Sequence, residues 1–373
     1  MHLFFLPETE GRLVAMIPDN RFIPVADFLA QGLKERVFTA AQAAWTVEDA
    51  EPTVLCVGTV DGLPVAPSTR FDIASISKVF TASAILRAAA RGLLALEDPL
   101  GKYLACPAPI SAVPLTHLLA HESGLPDWLP LFESVPRECR GRPEIAKSVI
   151  AAAMNSPLSS SSTDSAVYSD LGFIILGGVL EAAFQKKLSE IIQKEVCTPL
   201  ALDIGFRPVG TTAPAATGEI AATELCPWRG RRLQGEVHDD NAWTMGGIAG
   251  HAGLFASASA TARFGAVWLR ALTEDTWLPR DLARIAVLQR TAGRGLGWDI
   301  KSPNGSSVGD SFSAETFGHL GFTGCSLWMD PKRRITAALL TNRVYFGRNN
   351  EAIRLFRPIF HNTLAGCLGV NRR

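Results

Sequence analysis

The order of hydrophobic and polar positions predicts strands near both ends of the chain and helices between them. Apolar residues recur at helical spacing over residues 24–38. Apolar runs rich in β-branched residues predict strands, and an Asp-Gly pair after such a run is typical of a hairpin turn. The predicted strands are 37–47 and 52–65, the second with its turn at Asp61-Gly62, and later 324–330 and 335–344, joined by the turn 331–334. Residues 350–368 predict a closing amphipathic helix.

The middle of the chain has a different pattern. Residues 96–290 consist mostly of helical runs and loops, including a serine-rich loop at 156–165. Early and late strands with helices between them predict an α+β fold in which both ends of the chain contribute to one antiparallel sheet flanked by helices. We therefore expect residues 1–95 and 291–373 to form a sheet domain, residues 96–290 to form a mostly helical domain, and the active site to lie between them.

Composition and charge narrow the class of protein. Hydrophobic residues make up 47% of the 373, enough for a sizeable core, and the formal net charge is zero, so nothing indicates nucleic acid or an anionic membrane as a partner. Seven cysteines are scattered singly, as is typical of a reducing compartment. No apolar run approaches the roughly 18 residues of a membrane span. As written, the chain is expected to be cytoplasmic, whereas a truncated or misassigned start would leave export open.

A serine and a lysine stand together at the start of a helical run. In FDIASISKVF, residues 71–80, Ser75 precedes Lys78 by three positions, and no other lysine has a serine at that distance. Residues three apart on a helix share a face, so the amine can reach the hydroxyl, and a serine hydroxyl needs such a partner to become a nucleophile. The S-x-x-K pattern also occurs by chance, and by itself it equally fits a polar helix start.

Tyr168 is the second candidate. It is one of three tyrosines, and it alone is followed by polar residues, Ser169 and Asp170, directly before an apolar helical run. A phenol oxygen at the site could share the proton of Ser75. The alternative is that Tyr168 anchors the edge of a loop and that Asp170 caps the helix that follows.

A glycine-rich strand entry supplies the third candidate. His319-Leu320-Gly321 lies between Gly318 and Gly324. Glycine permits a close approach of the backbone to a ligand, and a strand edge there can direct a backbone N–H at a developing oxyanion. The alternative is an ordinary strand entry with a surface histidine.

Three other patterns are weaker candidates. Ser307 lies in GSSVG, but a nucleophile elbow needs a strand before it and a helix after it, and residues 301–311 are predicted to be a polar loop. His117 and His121 are four apart on an apolar helix without the glutamate of H-E-x-x-H, so structural roles are expected. The segment 246–253 departs from G-x-G-x-x-G and is expected to be a tight loop near the wall of the active site.

The three candidates together, in this order, resemble the serine β-lactamase and penicillin-binding-protein superfamily, whose motifs are S-x-x-K, Y-x-N and K-T-G or H-x-G. The resemblance is greatest to its class C-like esterases, D,D-peptidases and β-lactamase-related hydrolases. Residues 115–126 and 241–264 also look like this superfamily, and the resemblance covers about residues 23–368, leaving 1–22 unexplained. It implies a β-lactamase/transpeptidase-like α+β fold and a serine acyl-enzyme.

The resemblance implies a role for each matching residue. Ser75 matches the acylated nucleophile, and Lys78 matches the group that accepts or relays its proton. Tyr168 matches the general base that later protonates the leaving group. His319 stands where the superfamily has Lys or His, and the backbone N–H groups of Ser75 and Phe322 match the oxyanion hole. The residues expected to bind substrate are Asp170, His319, Gly321 and Phe322.

The chain departs from this pattern at two motifs. Asp170 replaces the usual asparagine, and an ionised carboxylate near Lys78 favours the ammonium form, which leaves the role of base to Tyr168. Leu320 replaces a hydroxyl residue, and His319 is a weaker cation than lysine. Short neutral esters are therefore expected to be better substrates than penicillins, although Arg343, after the last strand, could supply the missing cation.

The sequence thus predicts a serine hydrolase that acts on ester or amide bonds, most similar to the esterase-like members. A D,D-peptidase or muropeptide hydrolase with weak β-lactamase activity is the alternative within the same chemistry. A catalytically silent protein that binds cell-wall fragments or β-lactams is the alternative of another class. The expected partner is a small ester, amide or peptide substrate, no metal or organic cofactor is implied, and the oligomeric state is left open.

Overall fold

A computed structural model of the chain describes residues 14–15, 19–159, 166–210, 215–288, 290 and 293–370. Part of the predicted serine-rich loop and most of the unexplained N-terminal segment lie outside these ranges. Within them, no helix is long and apolar enough to cross a lipid bilayer.

Most of the described α-helices lie in the middle of the chain. The described ranges contain α1 (Ile23–Lys34), α2 (Ser77–Ala90), α3 (Leu115–Leu119), α4 (Ala146–Met154), α5 (Asp170–Phe184), α6 (Leu188–Ile192), α7 (Asp240–Thr244), α8 (Ala258–Ala271), α9 (Arg280–Val287) and α10 (Ile353–Cys367). A short 3₁₀ turn, Ala74–Ile76, leads directly into α2. The helical spacing near the start and the closing amphipathic helix are therefore confirmed as α1 and α10.

Strands lie near both ends of the chain and in short pairs between them. They are β1 (Val14–Ala15), β2 (Ala40–Val47), β3 (Thr53–Val60), β4 (Leu63–Pro64), β5 (Phe71–Asp72), β6 (Ile204–Phe206), β7 (Leu225–Cys226), β8 (Arg231–Arg232), β9 (Leu254–Ala256), β10 (Asp299–Ile300), β11 (Phe317–Leu320), β12 (Ser326–Asp330) and β13 (Ile335–Thr341). The predicted hairpin after β3 is present, because β3 pairs with β4 and both Asp61 and Gly62 have positive φ.

The early and late strands form one antiparallel sheet, as the pattern predicts. Its order is β1-β3-β2-β13-β12-β11-β10. The central strand β2 pairs with β3 on one side and with β13 on the other, so that Trp45 lies opposite both Thr53 and Ala337. Nearly every residue of β2 is buried, which explains why its sequence consists of small and apolar side chains.

Helices cover both faces of this sheet. On one face, α1 and α10 pack against the strand side chains that point to that face, such as Trp45 and Trp328. On the other face, α8 approaches β12 and β13 closely at Gly265, where an added Cβ would lie 2.6 Å from the Thr336 side chain. The helix α8 belongs to the 96–290 segment, yet it packs directly on the sheet.

The helix α2 lies at the centre of the molecule and carries the predicted nucleophile at its N-terminal end. Its residues from Ser77 to Leu86 are all buried, because α8 packs on one side, with Phe80 stacked on Phe264 at 4.1 Å, and α5 packs on another. A second, three-stranded sheet of order β5-β9-β6 lies at the entrance to α2. In this sheet β5, which precedes Ser75, pairs with β9, which follows the 246–253 loop.

Candidate active site

A strained turn presents Ser75. Ala74, in the 3₁₀ turn between β5 and α2, has a φ of 46°, in the left-handed region that side chains rarely adopt. The buried carboxylate of Asp72 holds this turn, since one oxygen accepts from the Ala74 N–H at 2.8 Å and the other accepts from the His238 N–H at 2.7 Å. Burial raises the pKa of Asp72. The turn therefore fixes the hydroxyl of Ser75 at the mouth of α2.

Lys78 contacts the Ser75 hydroxyl from below. Its Nζ donates to Ser75 Oγ at 2.9 Å, lies 2.6 Å from Asp170 Oδ1 and donates to the carbonyl of His251 at 3.4 Å. Burial by itself lowers the pKa of Lys78, but the Asp170 carboxylate and the Tyr168 phenol outweigh it, so that the pKa lies above its ordinary value. Lys78 is therefore an ammonium, which can donate to Ser75 but has no lone pair to take its proton. This is the effect that the sequence predicts for a carboxylate at position 170.

Tyr168 lies over Lys78. The ammonium nitrogen is 4.8 Å from the centroid of its ring, and the guanidinium carbon of Arg294 is also 4.8 Å from it. His121 also packs against the ring, with centroids 4.6 Å apart, and its Nδ1 accepts from the Ser169 N–H at 2.9 Å. Burial, with the charges of Arg294 and Lys78, holds the pKa of His121 well below its usual range. A neutral histidine thus fixes the tyrosine between two cations.

The residue that caps α5 is Ser169. It has extended φ and ψ angles, and its hydroxyl accepts from the Gly172 N–H at 3.3 Å. Asp170 is the first residue of the helix, so the suggestion that Asp170 acts as the cap is wrong. With the capping role taken by Ser169, the Asp170 carboxylate pairs with Lys78 instead.

His319 lies in β11 and is neutral. Its Nδ1 donates to the carbonyl of Leu320 at 2.8 Å, and its Nε2 is buried without a hydrogen-bond partner in the described ranges. Burial and the charge of Lys78 lower the pKa of His319 to about 3. The surface position considered for this histidine is therefore wrong, because its side chain is almost fully buried. Near neutral pH it supplies no cation to a substrate.

The segment after β11 lies directly beside the nucleophile turn. A Cβ on Gly321 would be 2.6 Å from the carbonyl oxygen of Ile73, and the Thr323 hydroxyl donates to the Asp72 carbonyl at 2.7 Å. Only glycine permits this approach at position 321. It brings the backbone of Phe322 to the side of Ser75, and in the described part of the chain the Phe322 N–H has no acceptor.

A cavity of about 650 Å³ opens onto these groups. The predicted site residues that line it are Ser75, Tyr168, Asp170, His319, Gly321 and Phe322. Lys78 lies beneath the floor with its side chain fully buried. The structure thus brings every predicted site residue together, and the size of the cavity suits a substrate of several hundred daltons.

The cavity also contains residues that the sequence does not single out. His251 Nε2 and Asp239 Oδ1 are 2.8 Å apart. Burial alone would raise the pKa of Asp239, but His251, the Ala242 N–H and His238 together outweigh it, so that the pKa lies below its ordinary value and Asp239 is ionised. The loop 246–253 forms part of the wall through His251 and Ala252, as expected for it. Two short histidine-containing segments, VHDD at 237–240 and GHAG at 250–253, are the sequence signal that could have identified the pair of Asp239 and His251.

One group in the described residues has the geometry of a metal site. Side-chain ligand atoms of Asp170, Asp239 and His251 lie within 4.8 Å of one another. Carboxylate and imidazole ligands suit a divalent transition metal. The ammonium of Lys78 already lies against Asp170, however, and a metal ion there would have to displace it.

Of the other weaker candidates, Ser307 lies away from this chemistry, whereas His121 packs against Tyr168. Ser307 does not line the cavity, and the segment around it is a loop with turns rather than a strand followed by a helix. His121 uses its Nδ1 to hold Ser169, which is a structural role of the kind expected.

Comparison with known proteins gives consistent results. A sequence model of the family described as beta-lactamase matches residues 26–357. A protein of Bacillus subtilis named N-acetylmuramyl-L-alanine amidase is 28% identical over 307 residues, which cover 74% of this chain and 68% of that protein. A Salmonella typhi protein named "Putative D-alanyl-D-alanine carboxypeptidase" is 32% identical over 199 residues, or 48% of this chain. The chain spans 45% of the length of that Salmonella protein.

Solved structures share the fold. The octameric penicillin-binding protein homologue from Pyrococcus abyssi superimposes with a TM-score of 0.69 at 21% identity, over 93% of this chain and 77% of that one. EstCE1, a hydrolase with promiscuous acyltransferase activity, gives a TM-score of 0.66 at 20% identity, over 91% of this chain and 98% of that one. The α+β architecture predicted from the sequence is therefore confirmed.

Proposed function

The chain belongs to the beta-lactamase family and is a serine hydrolase, and from this premise we propose that Ser75 transfers the acyl group of an ester or amide to water in two steps. Oγ of Ser75 bonds to the substrate carbonyl carbon, and the bond from that carbon to the leaving group breaks. Water then attacks the acyl-enzyme and releases the acid, which restores the serine.

In this proposal, Tyr168 accepts the proton of Ser75 and later returns it. Lys78 is an ammonium and cannot accept the proton of Ser75, so the oxygen of Tyr168 takes it as Oγ attacks. Tyr168 then donates that proton to the leaving oxygen or nitrogen. In the second step the same oxygen takes a proton from water and returns one to Ser75. Lys78 and Arg294, which lie against the ring, stabilise the charge during these transfers.

The N–H groups of Ser75 and Phe322 form the oxyanion hole in this mechanism. The close contact between Gly321 and Ile73 supports it, because it holds the two N–H-bearing segments side by side. The observation that carries the proposal as a whole is the position of one buried ammonium, on Lys78, between the Ser75 hydroxyl and the Asp170 carboxylate.

We propose two substrate classes. Esters are the first, and the neutral His319 and the apolar Leu320 support them, since neither offers a charged donor to a substrate carboxylate. Peptide amides of the D,D-peptidase or muropeptide kind are the second. They are supported by the names of the Bacillus and Salmonella relatives and by Arg343, a cation that lines the cavity.

The test is trapping and turnover with matched serine variants. Wild-type enzyme should hydrolyse p-nitrophenyl butyrate or a peptide ending in D-Ala-D-Ala, and mass spectrometry should place the acyl group on Ser75. Ser75→Ala should lose turnover and adduct. Ser77→Ala is the matched control, because the Ser77 hydroxyl is buried and accepts from the Leu254 N–H. No adduct with any substrate class, or full activity in Ser75→Ala, would refute the proposal and favour a silent binding protein.

A further inference from the structure

A side chain of the last helix holds the turn between β11 and β12. Nη2 of Arg357, in α10, donates to the carbonyls of Gly321 and Cys325, at 2.8 Å each. These two residues are also joined by a backbone hydrogen bond, in which the Gly321 N–H donates to the Cys325 carbonyl at 2.8 Å. A single nitrogen of Arg357 therefore clamps both ends of the turn that carries Phe322.

The bond to Gly321 fixes the direction of the Phe322 N–H. The Gly321–Phe322 peptide bond is trans, and in a planar trans peptide the C=O and the N–H that follows it point in opposite directions. The Gly321 carbonyl is held by Arg357 and also accepts from the Gly324 N–H at 3.0 Å. The Phe322 N–H therefore points away from Arg357. It has no acceptor in the described part of the chain, and Phe322 lines the cavity, so this donor is available to a ligand there.

The other donor of the proposed oxyanion hole, the Ser75 N–H, is fixed in a different way. The carbonyl of its peptide unit belongs to Ala74 and accepts from the Ser77 N–H at the entrance to α2. That partner is a neutral backbone group three residues away. The peptide unit of Phe322 is instead held by a cationic side chain that lies 36 positions beyond Gly321 in the sequence. Only the second donor therefore depends on a charge.

The charge of Arg357 is buried and is not balanced by a carboxylate. The residue is 6% exposed, and its Nε has no hydrogen-bond partner in the described ranges. Burial, and with it the positive charges of Arg343 and Arg354, lowers the pKa of Arg357 to about 10, so the guanidinium remains charged near neutral pH. Buried charges are normally paired, and this placement therefore costs stability. A role in catalysis would explain why a cation lies here.

A cation bonded to a peptide carbonyl also strengthens the N–H at the other side of that peptide unit. Hydrogen bonds in a chain polarise one another, and those with an ionised partner are the stronger ones. The guanidinium of Arg357 draws electron density toward the Gly321 oxygen, which makes the Phe322 N–H a better donor. Negative charge develops on the substrate oxygen as Ser75 attacks, so a better donor stabilises the transition state more than the ground state.

We propose that Arg357 is a positioning residue for the oxyanion hole, because its guanidinium orients and polarises the Gly321–Phe322 peptide unit so that the Phe322 N–H binds the developing oxyanion. This inference rests on the proposed function, since the oxyanion is the one that forms when Ser75 attacks the substrate carbonyl. Arg357 acts through the peptide and does not touch the substrate in this role. Its effect is therefore the same for neutral and for charged acyl groups.

The test uses two variants and two p-nitrophenyl esters of equal length. Arg357→Gln keeps an N–H donor for one carbonyl but removes the charge, and Arg357→Lys keeps the charge. The esters are p-nitrophenyl hexanoate, which is neutral, and mono-p-nitrophenyl adipate, which carries a carboxylate. Arg357→Gln should lower kcat/KM by about ten- to hundredfold on both esters, mainly through kcat, as part of the loss that follows removal of a whole oxyanion donor. Arg357→Lys should recover part of this loss.

A transition-state analogue gives a readout that a merely structural role would not change. Pentylboronic acid matches the hexanoyl group and forms a tetrahedral adduct with a serine oxygen, with a boron-bound oxygen in the oxyanion hole. Its inhibition constant should rise in Arg357→Gln by about the same factor as kcat/KM falls, whereas the inhibition constant of hexanoate, the product, should change by less than about twofold. Rates are expressed per serine labelled by a fluorophosphonate at completion, so that misfolded protein does not enter them.

Arg284→Gln is the matched control, because Nε of Arg284 donates to the Leu272 carbonyl at 2.8 Å outside the cavity lining, and all these constants should stay at their wild-type values. A lower melting temperature of Arg357→Gln with unchanged kcat/KM and boronate inhibition would overturn the inference, since Arg357 would then only support the fold. A loss confined to the adipate ester would overturn it too, because Arg357 would then bind the substrate itself. Failure of the wild-type enzyme to hydrolyse either ester or to be labelled at Ser75 would instead contradict the proposed function.

Discussion

The ammonium nitrogen of Lys78 lies 2.6 Å from a carboxylate oxygen of Asp170. The side chain of Lys78 is fully buried and that of Asp170 is 17% exposed, so water does little to screen the pair. The same ammonium donates to Ser75. A single cation therefore stabilises both a permanent carboxylate and the oxygen that is to become the nucleophile.

Replacing Asp170 by asparagine should destabilise the protein. The substitution leaves the buried ammonium of Lys78 without its counter-ion. This loss should lower the free energy of unfolding by about 3 kcal/mol at neutral pH. Because the pair raises the pKa of Lys78 in the folded protein, its contribution is complete below the ordinary value of 10.5 and is lost as the pH rises through the raised value. Unfolding in urea measures this change in the free energy of unfolding.

The control for this variant is Asp127→Asn, which changes an exposed carboxylate on the same cavity. It should alter the unfolding free energy by less than about 0.5 kcal/mol. If Asp170→Asn is as stable as wild type, the ion pair makes no net contribution and Lys78 does not depend on it for its charge.

Tyr168→Phe should lower kcat/KM by about two to four powers of ten, because the substitution removes the oxygen that accepts and returns the proton. The ring contacts with His121 and Arg294 are kept, so the thermal unfolding temperature should change little. Tyr103→Phe, which removes a hydroxyl bonded to Asp98 outside the cavity, is the matched control. Full activity of Tyr168→Phe would transfer the role of base to another group.

His319→Lys combined with Leu320→Thr should shift the enzyme toward β-lactams. The lysine restores a cation and the threonine restores a hydroxyl donor on β11, together worth about one to two powers of ten in affinity for a substrate carboxylate. Wild-type enzyme should hydrolyse p-nitrophenyl butyrate better than nitrocefin, as judged by kcat/KM. If nitrocefin is the better wild-type substrate, His319 and Leu320 do not set the substrate preference.

Much of the site follows from local sequence. Ser75 and Lys78 meet because three residues make almost one helical turn. Tyr168 and Asp170 lie on either side of Ser169, the residue that caps α5. The partners of these residues do not follow from spacing. His251 reaches Lys78 through a loop far along the chain, and Arg357 reaches the cavity from α10, because tertiary packing decides which distant segments meet.

Gly250→Ala should disrupt the contact between the His251 carbonyl and Lys78. A Cβ at position 250 would lie 2.1 Å from the carbonyl oxygen of Phe173 in α5, and neither backbone can yield without moving the other. We expect a loss of stability of about 1–3 kcal/mol and a lower kcat, since the carbonyl of His251 would move away from Lys78. Gly366→Ala, at a helical position in α10 with open space around its Cβ, should be neutral or stabilising in the same unfolding assay.

Acid should unfold the protein partly through its buried histidines. Burial lowers the pKa of His319 and of His361 to about 3, well below the ordinary 6.5. The unfolded chain therefore binds protons first as the pH falls, so stability is complete above pH 6.5 and is lost toward pH 3. Each histidine should cost about 2 kcal/mol between pH 7 and pH 5.

His361→Gln tests this dependence without touching the cavity. Glutamine can keep the hydrogen bond to the Ser326 hydroxyl but does not titrate, so the fall in unfolding free energy with pH should be shallower. His117→Gln, at a half-buried position, serves as the comparison. Equal slopes for His361→Gln and wild type would show that His361 does not contribute to acid unfolding.

The pairing of β2 with β13 has a consequence for how the protein is made. Trp45 emerges from a ribosome 292 residues before its strand partner Ala337. Until then the β2–β3 hairpin has an apolar open edge, which is a site for chaperone binding or aggregation. The catalytic turn at Ser75 likewise precedes the segment around Gly321 that completes its surroundings. A growing chain would thus hold its nucleophilic serine for much of synthesis without the Phe322 N–H of the proposed oxyanion hole, and would acquire full hydrolytic capacity only once that segment has folded against it.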